Sequence, residues 1–153
     1  MDYLPLVTLI FYSIPESYLI FSFGLVLLGQ KIYFMQVAPA VAISVVLSYL
    51  VRALPLPFGI HSLIGLIFIL IIFKVIFKLT WKHAAFATLL SCGTLLVLEN
   101  SVQYFITLSI NLPTSELFNQ GPLLRTLIGW PNLIIMALLT LFIYKKRLCL
   151  IKQ

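Results

Sequence analysis

Five long apolar runs decide what this chain can become, at roughly 4–28, 32–54, 60–79, 84–110 and 123–144. Each approaches or exceeds the about 20 residues that an α-helix needs to cross a hydrocarbon core. Hydrophobic residues make up 62% of the 153 and charged residues only 9%, where a soluble domain carries roughly 25% charged. Four acids and ten bases cannot coat a globule of this size in water, so the composition excludes an ordinary soluble domain. Lipid in turn limits the backbone to helices or a closed barrel, because every donor and acceptor must be satisfied internally. Barrel strands alternate inward and outward residues, whereas Leu66-Ile67-Phe68-Ile69-Leu70-Ile71-Ile72-Phe73 is apolar throughout. The sequence therefore predicts an all-α integral membrane protein, one bundle of about five transmembrane helices with no second domain.

The breaks between runs have identifiable chemistry. Gly29-Gln30-Lys31 ends the first run, and Pro55-Leu56-Pro57-Phe58-Gly59 ends the second with two prolines that lack donors and a permissive glycine. A polar stretch, Asn111 to Glu116, and Gly121-Pro122 separate the last two runs. Orientation follows from the bases, which accumulate on the cytoplasmic side. Lys31, Lys74, Lys78, Lys82 and the tail bases Lys145, Lys146, Arg147 and Lys152 share one side, against Arg52 and Arg125 on the other. The N-terminus is thus expected outside and the C-terminus in the cytoplasm.

Several function classes are disfavoured. The net charge of +6 comes from bases at helix ends, not from a basic face with interleaved aromatics, so no nucleic-acid partner is expected. Cys92 and Cys149 are too few and too far apart for a disulfide framework or metal site. No phosphate-binding glycine loop, HExxH pair or CxxC pair occurs, so neither a cofactor nor an enzymatic activity is expected. The N-terminus opens with Asp2 rather than a basic region, and its apolar stretch is interrupted by Pro15 and Glu16, unlike a signal peptide. It is read as a retained helix, with a local kink at Pro15.

Ionisable and amide groups inside the runs are the candidate site. Such groups are costly in hydrocarbon and tend to face the bundle interior. Thr8, Tyr12 and Glu16 share one face of the first helix; Ser44, Ser48 and Arg52 share one face of the second. The fourth carries Thr88, Cys92, Leu96, Glu99, Gln103 and Thr107 as a stripe, with Asn100 beside it, and His61 opens the third. If these faces converge, Glu16, Arg52, His61, Glu99, Asn100 and Gln103 surround an outward-facing polar pocket for a ligand. The competing reading is helix–helix glue, in which polar side chains bond across helices for about 0.6–2 kcal/mol a pair. His83 and Cys92 loosely resemble the His–Cys pair of Agr-type membrane endopeptidases. Their spacing of more than two turns, with no glycine before His83, argues against that pairing.

Four stretches carry a broader resemblance: Ile14-Pro15-Glu16-Ser17, Gly24-Leu25-Val26-Leu27-Leu28-Gly29, Tyr49 to His61, and Leu124 to Pro131. They resemble the N-terminal multi-pass membrane region of Gram-positive sensor histidine kinases of the Agr or sporulation type. The resemblance implies a sensor in a bacterial plasma membrane that detects an extracellular or membrane-borne signal. It lends Glu16, Arg52 and His61 a hint of a role, while the sequence carries neither phosphoacceptor helix nor ATP-binding domain. The expected function is a non-enzymatic, receptor-like module binding a small or peptide signal. Its partners are the lipid bilayer and another membrane protein or cytoplasmic signalling protein. The alternatives are an accessory or structural subunit of a larger membrane complex, or a small substrate-binding transport component.

Overall fold

The computed structural model describes residues 9–54, 60–110 and 122–146. Among them are five α-helices and no strand: α1 (Ile14–Leu27), α2 (Phe34–Ala53), α3 (Ile60–Val75), α4 (Trp81–Ile110) and α5 (Pro122–Lys146). The all-α expectation with five helices holds. Arg125 and the start of the fifth run lie in α5, but their side chains are outside the described set. Residues 55–59, 111–121 and 147–153, with Asp2, Glu116, Arg147, Cys149 and Lys152, fall outside the described residues, as does the start of the first run.

Helix boundaries follow local chemistry. Pro15 occupies the first turn of α1, directly after residues that are already helical, and has no N–H to donate to that preceding turn. The expected distortion at this proline takes the form of a π-helical turn, Leu9–Ser13, just before α1. At the other end Gly29 adopts φ 70, its N–H bonds to Val26 O at 2.9 Å, and Gln30 N–H reaches Leu25 O at 3.0 Å. This paired pattern on a left-handed glycine is a Schellman cap, and it stops the helix.

Two boundaries differ from the sequence expectation. The third run was expected to stay helical to Leu79, yet α3 ends at Val75. Phe77 and Leu79 tuck into the core, so the chain leaves the helix, with Lys78 at φ 53. The fourth helix was expected from Ala84 but starts at Trp81. Thr80 caps it: its Oγ1 accepts the His83 N–H at 3.4 Å and is hydrogen-bonded to His83 Nδ1 at 2.9 Å. Thr80 is thus a side-chain N-cap, with the His83 ring bonded to the same hydroxyl.

α1 is the hub. It packs against α2, α4 and α5, while α3 lies between α2 and α4, and α5 packs on α4. The Phe21 ring of α1 meets Phe73 edge-on at 5.3 Å and Phe77 at 5.9 Å, joining α1 to the end of α3. Gly24 makes this possible, since a Cβ there would stand 2.5 Å from the Phe73 ring tip and 3.3 Å from the Ala87 Cβ.

The distribution of polarity is inverted. Ser17, Ser22, Thr88, Ser91, Asn132 and Thr140 are buried, while Phe34, Val97, Phe105 and Leu127 are exposed and Met35 is 86% exposed. Among the described residues two helices are long and apolar enough to cross a membrane, Phe34–Val51 and Trp81–Leu108, and only 28% and 22% of these stretches is buried. Phe11–Leu27 and Ile60–Val75 are apolar but shorter.

Filling Gly24 is therefore expected to damage the hub. Gly24→Leu should destabilise the chain by about 1–3 kcal/mol, the usual cost of overpacking. Gly65→Leu and Gly93→Leu, where a Cβ meets nothing within 4 Å, should be near neutral. Thermal unfolding of the three variants in detergent is the measurement; equal behaviour of all three would contradict the close-approach argument.

Candidate functional site

The end of the bundle beyond the Gly24 contact, expected to be the outer one, holds Glu16, His61 and Glu99, while Lys74, Lys82, His83, Lys145 and Lys146 lie in helices towards the other end. Short connections make consecutive helices antiparallel, so α1, α3 and α5 run one way and α2 and α4 the other. Heights can then be counted from known contacts. Gly24 abuts Ala87 and Phe73. Glu16 lies about 12 Å outward of Gly24 along α1, and Glu99 about 18 Å outward of Ala87 along α4. His61 lies about 18 Å outward of Phe73 along α3. These three residues of the sequence-derived set therefore come within about one helical turn in height.

Glu16 shares a helix face with Ile20, Phe23 and Leu27 by helical spacing. Those three pack with Leu95 of α4 and Met136 of α5. The carboxylate is half-buried and close enough to Cys92 of α4 to act on it electrostatically. His61 is also half-buried, and its Nδ1 is buried with no hydrogen-bond partner among the described residues.

A residue that the sequence reading passed over lies at a similar height. Asn132 of α5 is 2% exposed, and its Oδ1 is buried without a partner among the described residues. Its height follows from Gly129, against which the Tyr12 ring is packed. Glu16 is about 6 Å inward of Tyr12, and Asn132 about 4.5 Å inward of Gly129, so the two sit nearly level. The signal was available: an amide beside a proline, Pro131-Asn132, inside an apolar run is as anomalous as Pro15-Glu16.

The other sequence-derived residues are placed differently. Asn100 is exposed, and its Nδ2 donates to Leu96 O of its own helix at 2.8 Å. Gln103 is half-buried, about one turn outward of Glu99. The Arg52 side chain lies outside the described residues. Much of the polar stripe on α4 is satisfied within α4. Thr88 donates to Ala84 O at 2.8 Å, Ser91 to Ala87 O at 2.6 Å and Thr107 to Gln103 O at 2.9 Å. Hydroxyls bonded back to the preceding turn need no partner helix and no ligand.

Cys92 is a free thiol well inside α4, while His83 is engaged at the helix start with Thr80. About 13.5 Å of helix separates them, too far for a histidine to activate a thiol. Among the described residues no cluster of three or more His, Cys, Asp or Glu could hold a metal ion.

A second concavity is of opposite character. α2 and α5 flank α1 and leave between them an open groove of about 800 Å³. Tyr18, Ala38, Ala42, Val45, Leu133 and Ala137 contribute to its lining, and apart from the Tyr18 hydroxyl and the Trp130 indole N–H no lining side chain has a polar group. No protein-family model, curated protein or solved structure matches the chain.

The unpartnered acceptor gives a direct test. Replacing Asn132 by Leu removes a buried orphan group whose burial costs about 1–3 kcal/mol, so the ligand-free protein should be equally or more stable. Asn100→Ala, which deletes only a bond within α4, should shift stability by less than about 1 kcal/mol. Chemical denaturation in detergent micelles measures both, and a large loss with Asn132→Leu would mean that the amide already has a structural partner.

Proposed function

We propose that this chain is a multi-pass plasma-membrane protein that acts as a non-enzymatic, sensor-like module. Its outward cluster of Glu16, His61, Glu99 and Asn132 receives a small or peptide signal. The membrane part of this reading rests on the inverted polarity, with hydroxyls and an amide buried while Met35, Phe34 and Phe105 face outward. A core helix of a soluble protein would be mostly buried, unlike Phe34–Val51 and Trp81–Leu108. The basic residues described, Lys31, Lys74, Lys78, Lys82, Lys145 and Lys146, fall at the helix ends expected to be cytoplasmic.

One observation carries the signal-binding part. His61 Nδ1 and Asn132 Oδ1 are buried without partners among the described residues, at nearly the height of two carboxylates. Leaving such atoms unsatisfied is costly, and a ligand would supply what the chain does not. Two carboxylates, an amide oxygen and an imidazole favour a ligand rich in N–H donors, such as an amine or the amino terminus of a peptide. The resemblance to the membrane regions of sensor kinases points the same way, with the output passing to a cytoplasmic or membrane partner.

Two experiments test the two parts. Alkaline carbonate extraction should leave the chain in the membrane, and tags at Met1 and Gln153 should report opposite sides. Small molecules retained through purification from native membranes should then be compared by mass spectrometry across wild type, Glu16→Gln and Asn132→Leu. A species held by wild type should fall about tenfold in the variants, the effect of losing about 1.4 kcal/mol of binding. Equal retention in all three would retire the pocket.

A further inference from the structure

We infer that Tyr12 is the size filter of the proposed site. Its ring closes the layer of Glu16 and Asn132 on the outer side and restricts the ligand head to an unbranched primary ammonium. The inference rests on the amine-binding reading above and adds the residue that sets its selectivity.

Two contacts between α1 and α5 bracket the polar pair. On the outer side the Tyr12 ring packs on Gly129. On the inner side Ile20 and Phe23 of α1 cluster with Met136 of α5 and Leu95 of α4. Glu16 falls midway between Tyr12 and Ile20, and Asn132 falls between Gly129 and Met136, so both belong to the layer that these contacts enclose. Rotation agrees with height. At about 100° per residue, Asn132 lies on the opposite side of α5 from Trp130, Ile134 and Ala137, which line the apolar groove. Glu16 shares the face of Ile20 and Phe23, away from the groove residue Tyr18. The pair therefore occupies the seam of α1, α4 and α5. Helical side chains lean towards the N-terminus of their own helix. For α1 and α5 that is the outer end, so Glu16 and Asn132 lean towards the Tyr12 ring. Glu99, one turn from Leu95 on the same face of the oppositely directed α4, leans inward to the same layer.

The chemistry of the layer selects the head. Asn132 is 2% exposed, and its Oδ1 has no partner among the described residues. A primary ammonium brings three N–H donors and a charge to set against a carboxylate; a quaternary ammonium has no N–H to give. Depth selects against branching. Tyr12 and Ile20 each stand about 6 Å along α1 from Glu16, so the layer is one side chain deep. Methyl branches next to the nitrogen would meet the ring. Gly129 holds that ring in place, because a Cβ there would overlap Tyr12 Cε2.

The probes are n-butylammonium and tert-butylammonium, titrated calorimetrically into the full chain in detergent micelles. Wild type should bind the unbranched amine at least about tenfold more tightly, within the range that added methyl groups contribute in a pocket. Tyr12→Ala should lower this ratio at least about fivefold by admitting the branched amine, a gain that misfolding cannot produce. Gly129→Ala, which takes the seat of the ring, should shift the ratio the same way, while Tyr12→Phe should keep it. An unchanged ratio in both Tyr12→Ala and Gly129→Ala, or an equal loss in Tyr12→Phe, would overturn the assignment. Glu16→Gln separates the two levels of the argument. Weaker n-butylammonium binding in Glu16→Gln, with the ratio unmoved in Tyr12→Ala, would remove the filter alone. No binding by wild type, or binding indifferent to Glu16→Gln, would remove the amine site and the filter together.

Discussion

The contact at Gly24, where α1 meets α4 and the Phe73 side chain of α3, ties three helices together. Without a side chain at this position, the Phe73 ring and the Ala87 methyl come up to the α1 backbone. Phe21, one turn away, then reaches both Phe73 and Phe77, and Phe77 can be buried only because the chain leaves α3 at Val75. Dispersion between closely packed surfaces is the main force available where helices meet in lipid, since lipid tails are as apolar as leucine. A glycine that shortens one contact therefore sets the heights of three helices.

Those heights organise the polar groups. Most hydroxyls with a resolved partner, including Thr88, Ser91, Ser101, Thr107 and Thr140, bond a carbonyl four residues earlier in their own helix. Such bonds are indifferent to neighbouring helices and cost the packing nothing. Among the described residues His61 Nδ1, Asn132 Oδ1 and Ser22 Oγ are left over, and the first two stand within about one helical turn in height of Glu16 and Glu99. The contrast between polar groups settled inside one helix and polar groups with no partner separates structural glue from a candidate site.

The same hub produces the groove. α2 and α5 both pack on α1, and small side chains at Ala38, Ala42 and Ala137 leave space between them. Polar cluster and apolar groove thus use different faces of one helix: Glu16 with Ile20 and Leu27 on the first, Tyr18 and Leu19 on the second.

The helices themselves were legible in the sequence because their causes are local. Apolar runs, the glycine at 29 and the proline at 15 act within a turn of where they stand, and they fixed five helices and most of their ends. Thr80 as a cap for α4 was equally local and was missed because the apolar run, not the Thr-x-x-His pattern, was used to start the helix. The end of α3 was different, since Phe77 and Leu79 leave the helix for a core built by α1. Polar residues such as Glu16 and His61 could be named from composition alone, but their neighbours could not. Whether a side chain turns back on its own helix, as Asn100 does, or packs against a distant run, as Phe21 meets Phe73, depends on the rotation and height of one helix against another. Those are set by contacts between segments far apart in the chain, and hydropathy along a single run carries no information about them.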